Sequence, residues 1–162
     1  MGAPYNAIDV ANYIIEKDTK PTNLRVQKLL YFAFGEKLAA SNKCLFHEDI
    51  EKWRLGPVIP EVYHNFKDYG SEEISPQQRV FLNEEGRVQR ERFDESVIEE
   101  EDRKFIDRII ACFKEKSDFE LVEETHKHPM WQQFSDDING GIRHLRYTNK
   151  EIKKYFQENS YL

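Results

Sequence analysis

An unbroken apolar stretch in the middle of a proline-free segment constrains the fold more than any other feature. Residues 29–34 read Leu-Leu-Tyr-Phe-Ala-Phe and lie inside a segment that runs from Thr22 to Ala40. A helix that is apolar on every side has to be surrounded by other elements, and the segment is too long for a buried strand. Thr22 and Asn23 are both favourable N-caps. The sequence therefore predicts a buried central helix over residues 22–40.

Helical signals recur along the rest of the chain. One helix is predicted from Asn6 to the break before Pro21, and another from Pro60 to Gly70, because proline suits a helix start and glycine suits its end. Serine or threonine followed three residues later by glutamate marks a capping box. Three such pairs predict further helix starts: Ser96 with Glu99, Ser117 with Glu120, and Thr148 with Glu151. The first opens the clearest amphipathic stripe, which ends at Phe113.

Strand signals are few and local. Residues 50–55 predict a short strand around Trp53, and Gly56-Pro57 predicts a turn after it. Residues 80–88 carry apolar residues on both sides of Gly86, which fits either a small β-hairpin or a loop. The fold class predicted is mainly α: a compact, single-domain helical bundle over residues 1–162 around one buried helix. Whether residues 80–88 add a small β-hairpin to it is not decided by the sequence.

Composition and charge limit the classes of function. The formal net charge of −6 makes a nucleic-acid-binding surface improbable, because such surfaces are basic. No apolar segment approaches the roughly 20 residues of a membrane-spanning helix. The first residues lack the features of a secretory signal, so a cytoplasmic location is expected. Cys44 and Cys112 are then expected to be free thiols, with Cys112 buried and inert in an apolar helix and Cys44 the more exposed.

Motifs for catalysis or metal binding are lacking in the sequence. His126 and His128 are two residues apart, whereas a helical zinc pair needs a spacing of four. No phosphate-binding glycine loop or nucleophile motif is present. The sequence predicts neither a metal nor a cofactor and favours a protein that is not an enzyme.

Three polar constellations nevertheless stand out. Gln27 and Lys28 lie inside the apolar central helix, and Gln27 shares a helix face with Tyr31. The second surrounds Gly56-Pro57, and the third contains Thr125 and His126. The interpretation favoured is structural: Gln27, Thr125 and His126 satisfy buried backbone groups, and Trp53 and Trp131 are core aromatics. The residues that these constellations single out are Gln27, Lys28, Tyr31, Trp53, Gly56, Pro57, Tyr63, Thr125, His126 and Trp131.

These residues resemble the motifs of the Panacea domain, the SocA-like antitoxin family carried by prophages and other mobile elements. That family has L-Q-K-L-x-Y-F in a helix, then W-x-x-G-P-V-x-x-x-x-Y, then T-H followed shortly by tryptophan. The first motif stands at residues 26–32 with Val26 in place of leucine. The second, the most specific, stands at 53–63, and the third comprises Thr125, His126 and Trp131. The resemblance covers residues 6–156.

The resemblance implies a role as an antitoxin that binds and neutralises a cognate toxin encoded beside it. One branch of the family acts as an adaptor that delivers its toxin to a protease. The same domain pairs with many unrelated toxins, so the partner is not implied. An acidic protein suits a basic toxin, with the acidic run at 94–102 as a candidate contact, although a solvated helix start is the favoured explanation of that run. The accessible stretches expected for such an interface are 71–95 and 147–161.

Two alternatives remain from the residues themselves. One is a small enzyme built around Gln27, Thr125 and His126 that modifies its partner. The other is a DNA-binding autoregulator, which requires a basic recognition helix. The candidate residues for that helix are Arg143, Arg146, Lys150, Lys153 and Lys154.

Overall fold

The computed structural model describes residues 4–76 and 78–162, and the chain is mainly helical and compact, as predicted. In order, the elements are α1 (Ala7–Lys17), α2 (Asn23–Ser41), β1 (Glu51–Trp53), β2 (Gly56–Val58), α3 (Pro60–Phe66), β3 (Gln78–Leu82), β4 (Val88–Arg92), α4 (Glu100–Cys112), α5 (Asp118–His126), α6 (Pro129–Gln132), α7 (Ser135–Asn139) and α8 (Asn149–Glu158). None of the helices in these described ranges has the length and apolar character needed to cross a membrane.

The predicted central helix is confirmed as α2. The Thr22 hydroxyl caps it by accepting a hydrogen bond from the Arg25 amide at 3.1 Å, and Asn42 ends it in the left-handed conformation, with a φ of 58°. Helices α1, α3, α4, α5 and α8 and strand β2 all pack against it. The run from Leu29 to Ala33 is fully buried, because the surrounding elements cover every face of the helix.

Helices α2 and α8 approach each other closely in the core. A Cβ added to Gly35 would lie 2.2 Å from Cε2 of Phe156, so the glycine lets the Phe156 ring lie directly on the α2 backbone. Ile152 is buried beside Phe156 on the same face of α8. One hydrophobic cluster includes residues from Tyr5 to Phe156, and α8 therefore contributes to the same core as α1.

Two of the three predicted capping boxes are confirmed, those of Ser117 with Glu120 and of Thr148 with Glu151. The pairing of Ser96 with Glu99 is wrong. The carboxylate of Asp94 accepts hydrogen bonds from both the amide and the hydroxyl of Ser96, which starts a 3₁₀ turn over Glu95–Val97. Helix α4 begins only at Glu100, because the serine side chain is already engaged.

Both strand pairs are antiparallel hairpins. Trp53 pairs with Gly56, so the turn lies at Arg54 and Leu55 and not at Gly56-Pro57, which belong to β2. Residues 78–92 form the second hairpin, β3–β4, with Gly86 in its turn at a φ of 77°. Of the two alternatives for this segment, the hairpin is correct.

The thiols differ from expectation. Cys112 is exposed and its Sγ lies 3.3 Å from the carbonyl oxygen of Tyr161, whereas Cys44 is half-buried. Cys112 ends α4 on the side away from the buried stripe formed by Ile106, Ile109 and Phe113, which explains its exposure. The two cysteines are not bonded to each other.

We predict that Gly35→Ala destabilises the fold, because the new methyl group would overlap the buried Phe156 ring. Overpacking of this kind costs about 1–3 kcal/mol, and urea unfolding measures it. In a Phe156→Leu background the same substitution should cost less, since the smaller side chain leaves room. Equal costs in the two backgrounds would contradict the close approach of α2 and α8.

Candidate functional site

The polar motif residues meet around the backbone of the β1–β2 hairpin. Four backbone groups of residues 53–59 are bonded by side chains from α2, α5 and α6. The contacts are Gln27 Oε1 with the Ile59 amide at 2.8 Å, Lys28 Nζ with the Pro57 carbonyl at 2.9 Å, His126 Nε2 with the Arg54 carbonyl at 2.8 Å, and Trp131 Nε1 with the Trp53 carbonyl at 2.7 Å. We call this arrangement the hairpin bracket.

Helix α2 supplies the first side of the hairpin bracket. Gln27 also donates from Nε2 to Asn23 Oδ1 at 3.0 Å, and Asn23 donates to the Tyr63 carbonyl at 3.1 Å, so the amide is fixed at both ends. Lys28 is fully buried. Burial lowers the pKa of its ammonium from 10.5 to about 7, although the negative charge of Asp118 opposes that change. A buried amine with one carbonyl partner is a costly group, which the fold retains at its centre.

Gly56 and Thr125 form the contact point between β2 and α5. A Cβ at Gly56 would lie 2.5 Å from Thr125 Oγ1 and 3.2 Å from Lys28 Cε, and the residue has a φ of 99°. Glycine is therefore required both for the backbone conformation and for the space. The Thr125 hydroxyl is itself buried and donates to the Val122 carbonyl at 2.8 Å.

His126 and Trp131 hold the tip of the hairpin from the other side. Their rings stack with centroids 3.8 Å apart and planes 15° from parallel. Burial lowers the pKa of His126, and its bond to the Arg54 carbonyl acts in the opposite direction. The short helix α6 places Trp131 here even though Met130 separates it from Pro129.

The aromatic rings of the second motif form the outer edge of the hairpin. Trp53 and Tyr63 are half-buried and meet edge to face with centroids 5.0 Å apart. The Trp53 indole donates to Glu51 Oε1 at 2.9 Å. The sequence interpretation of Trp53 as a core aromatic therefore needs correction, because one side of its ring system reaches the surface.

Tyr31 lies apart from the hairpin bracket, in a buried chain of hydrogen bonds. Its hydroxyl lies 2.7 Å from His128 Nδ1, His128 Nε2 lies 2.9 Å from the Tyr161 hydroxyl, and that hydroxyl donates to Glu124 Oε2 at 2.5 Å. Since Tyr161 donates to Glu124, His128 donates from Nε2 and accepts from Tyr31. Burial lowers the pKa of His128 to about 4 and raises that of Tyr31. The imidazole is therefore neutral at pH 7.

Sequence reasoning missed the roles of His128, Tyr161 and Glu124, which complete this chain of hydrogen bonds. It also missed Arg25. The Arg25 guanidinium is buried and bonds Asp18 at 2.7 Å and the Phe113 carbonyl at 2.8 Å. The sequence signal for Arg25 was its charge between Leu24 and Val26. Arg25 and Phe113 are 88 positions apart in the sequence, and Tyr31 and His128 are 97 positions apart. No local spacing could therefore identify these pairs.

Several surfaces proposed from sequence are occupied by internal contacts. In the acidic run, Asp102 is buried and bonds both Tyr5 and Lys37. Within 147–161, the residues Tyr147, Ile152 and Phe156 are buried, so much of that stretch belongs to the core. For the DNA-binding alternative, Arg146 pairs with Asp49 and Lys153 with Asn42. Among residues 4–76 and 78–162, no group of three or more His, Cys, Asp or Glu side chains could hold a metal ion.

The buried Lys28 predicts a pH-dependent stability. Between about pH 7 and its ordinary pKa of 10.5, the unfolded chain binds a proton at this residue that the folded chain lacks. Stability should therefore rise with pH through that window, by up to about 1.4 kcal/mol per pH unit. In Lys28→Met this contribution should be lost and the rise should be correspondingly smaller, as urea unfolding at several pH values measures. The control Lys104→Met, at a side chain with 73% exposure, should keep the full rise of stability with pH. Parallel curves of stability against pH for the unmodified chain and Lys28→Met would contradict the burial of Lys28.

A second prediction concerns Gly56. Gly56→Ala and Gly86→Ala both place alanine at a positive φ, but Gly86 has no atom within 4 Å of the added Cβ. Gly56→Ala should therefore cost about 1–3 kcal/mol more, the usual cost of overpacking. Thermal unfolding of the two variants measures the difference. Similar losses would mean that Thr125 and Lys28 do not confine the hairpin.

Comparisons with known proteins identify the family of the chain. A family model described as Antitoxin SocA-like, Panacea domain, matches residues 26–132, which contain all three motifs. Antitoxin SocA of Caulobacter vibrioides (strain NA1000 / CB15N) is 41% identical over 69 residues, which amount to 40% of this chain and 37% of that protein. No solved structure matches the chain. Because the family model extends over well over half of the sequence, the chain belongs to the SocA-like antitoxin family defined by the Panacea domain.

Proposed function

We propose that this chain is an antitoxin that acts in the cytoplasm and neutralises a toxin encoded beside it by binding that toxin directly. The observation that carries the proposal is membership of the SocA-like antitoxin family. We also propose that residues 1–162 act as one unit. That part is supported by the single hydrophobic cluster, to which both Tyr5 and Phe156 belong.

The hairpin bracket supports binding over chemistry. A general acid, base or nucleophile has to reach a substrate atom. Gln27 and Thr125 are buried. The Gln27 amide and His126 Nε2 bond the hairpin backbone, and the Thr125 hydroxyl bonds the Val122 carbonyl. These are the groups on which the alternative of a partner-modifying enzyme depends. Their engagement favours a role in shaping a binding surface.

Stoichiometry separates the proposed mode of action from its alternatives. The product of the adjacent open reading frame should be expressed from an inducible promoter while the level of this chain is varied, with both amounts measured by quantitative immunoblot. A binding antitoxin should restore growth only when it is present in at least the molar amount of its target. It should also form a stable complex with the purified target on size-exclusion chromatography.

Two other outcomes identify the alternatives. Protection at a small fraction of the target's molar amount, without a stable complex, would indicate an enzyme. Loss of the target protein in cells that is abolished by deleting a protease would indicate delivery to that protease.

A substitution adds a second check. His126→Ala should weaken neutralisation only as far as it lowers stability and affinity, because the imidazole braces the hairpin and stacks on Trp131. Lys127→Ala, at an adjacent side chain with 72% exposure, is the matched control and should be neutral. A folded His126→Ala protein that binds its target normally and no longer protects cells would contradict the proposal.

A further inference from the structure

A groove of about 600 Å³ opens beside the β1–β2 hairpin. One wall is the hairpin itself with the neighbouring His64 of α3. The other wall is the end of α7 with the segment that follows it, residues 138–144. We call it the hairpin groove, and the side chains that define its chemistry are Trp53, Arg54, His64, Ile142, Arg143 and His144.

Both walls of the hairpin groove are held in place by hydrogen bonds. The hairpin bracket fixes the Trp53 and Arg54 carbonyls. The second wall is tied to the first through the Lys52 amide and the Leu145 carbonyl at 2.6 Å, and through the Tyr147 amide and the Ile50 carbonyl at 2.8 Å. A surface that is already ordered loses little conformational entropy on binding.

The charge of the hairpin groove is opposite to that of the whole chain. The chain has a net charge of −6, yet Arg54 and Arg143 line the groove as exposed cations beside His64 and His144. Glu51 is the acidic residue among those that line it. Its carboxylate is engaged, since Oε1 accepts from Trp53 and Oε2 lies 3.3 Å from His144 Nδ1.

Apolar surface accompanies these cations. Ile142 lines the groove and is 54% exposed, and the half-buried Trp53 lines it from the hairpin side. Leu55, at the tip of the hairpin, is 46% exposed. Tryptophan and arginine dominate the residues that carry most of the energy of protein–protein binding. His144 also holds a φ of 64°, which is uncommon outside glycine and is a feature found at binding sites.

We propose that the hairpin groove is the surface on which this antitoxin captures its toxin, and that the segment it binds is acidic. The fitting segment carries aspartate or glutamate on both sides of one large apolar side chain. The carboxylates pair with Arg54 and Arg143, and the apolar side chain packs against Trp53 and Ile142. This inference rests on the proposed function and adds to it the surface and the chemistry of the partner.

A protein segment fits better than a nucleic acid. Binding to a phosphate backbone depends on several lysine or arginine contacts along the strand. The hairpin groove offers two arginines within a chain that is acidic overall. Carboxylates held next to an apolar anchor match this small number of cations together with the exposed Trp53 and Ile142.

Charge reversal tests the proposal. The probe is the purified product of the adjacent open reading frame, and its dissociation constant is measured by isothermal titration calorimetry. Arg54→Glu with Arg143→Glu should weaken binding at least about 30-fold, which is the loss typical of central interface residues. Lys20→Glu with Arg108→Glu changes the net charge equally at exposed positions outside the groove and should alter affinity less than about threefold.

Ionic strength gives a second readout. Affinity for the probe should fall as salt rises from about 50 to about 300 mM, and the fall should be shallower in the groove variant. If Arg54→Glu destabilises the hairpin, Ile142→Asp with Arg143→Glu replaces it, because both positions lie in an exposed segment outside the hairpin bracket. Melting temperatures of all variants exclude loss of the fold as the cause of weaker binding.

The outcomes distinguish this inference from the proposed function. Equal affinities of the unmodified chain and the groove variants for the probe would overturn the hairpin groove and leave the antitoxin function standing. Absence of any complex with the unmodified chain would overturn both. Binding of a single-stranded RNA oligonucleotide that the groove variants lose would overturn the acidic protein segment as the occupant.

Discussion

The Lys28 amino group is fully buried in the core, and its hydrogen bond to the Pro57 carbonyl sets where the β1–β2 hairpin must be. A buried charge-bearing group without a partner is strongly destabilising. The preceding residue, Gln27, imposes a second requirement, because its buried side-chain oxygen accepts its hydrogen bond from the Ile59 amide. Gln27 and Lys28 therefore position the hairpin relative to α2, and the hydrophobic core alone would not.

A second polar requirement of α2 organises the other side of the molecule. Glu36 is buried and accepts hydrogen bonds from the Tyr161 amide at 2.6 Å and the Ser160 hydroxyl at 2.9 Å. Tyr161 then packs against Phe32 and completes the chain of bonds through His128 to Tyr31. Residues far apart in sequence are thus fixed by polar atoms on one helix. Buried networks of this kind specify a unique arrangement only when all their members are satisfied.

Local sequence patterns were sufficient where the physics is local. The all-round apolar character of residues 29–34 identified α2, and Ser117 and Thr148 identified the starts of two helices. The pattern at Ser96 failed because a closer competitor, Asp94, took the serine hydroxyl. The partners of Tyr31 and Arg25 were not predictable, because a hydrogen bond across about ninety residues leaves no periodicity in the sequence. The sequence identified the residues of the hairpin bracket. That they all bond the backbone of the β1–β2 hairpin was visible only in the structure.

The second motif, W-x-x-G-P-V, gains a physical meaning from the hairpin. Gly56 and Pro57 are buried and face Thr125 and Lys28, so these positions admit little change. The two positions that the motif leaves open are Arg54 and Leu55, and they form the exposed turn. The side chains of Trp131 and His126 bond the backbone carbonyls of Trp53 and Arg54, while Arg54 itself lines the hairpin groove. A fixed backbone that presents replaceable side chains allows one domain to keep its fold while its partner changes. Specificity for a partner should accordingly depend on the turn and on residues 138–144, and not on the polar residues that define the motifs.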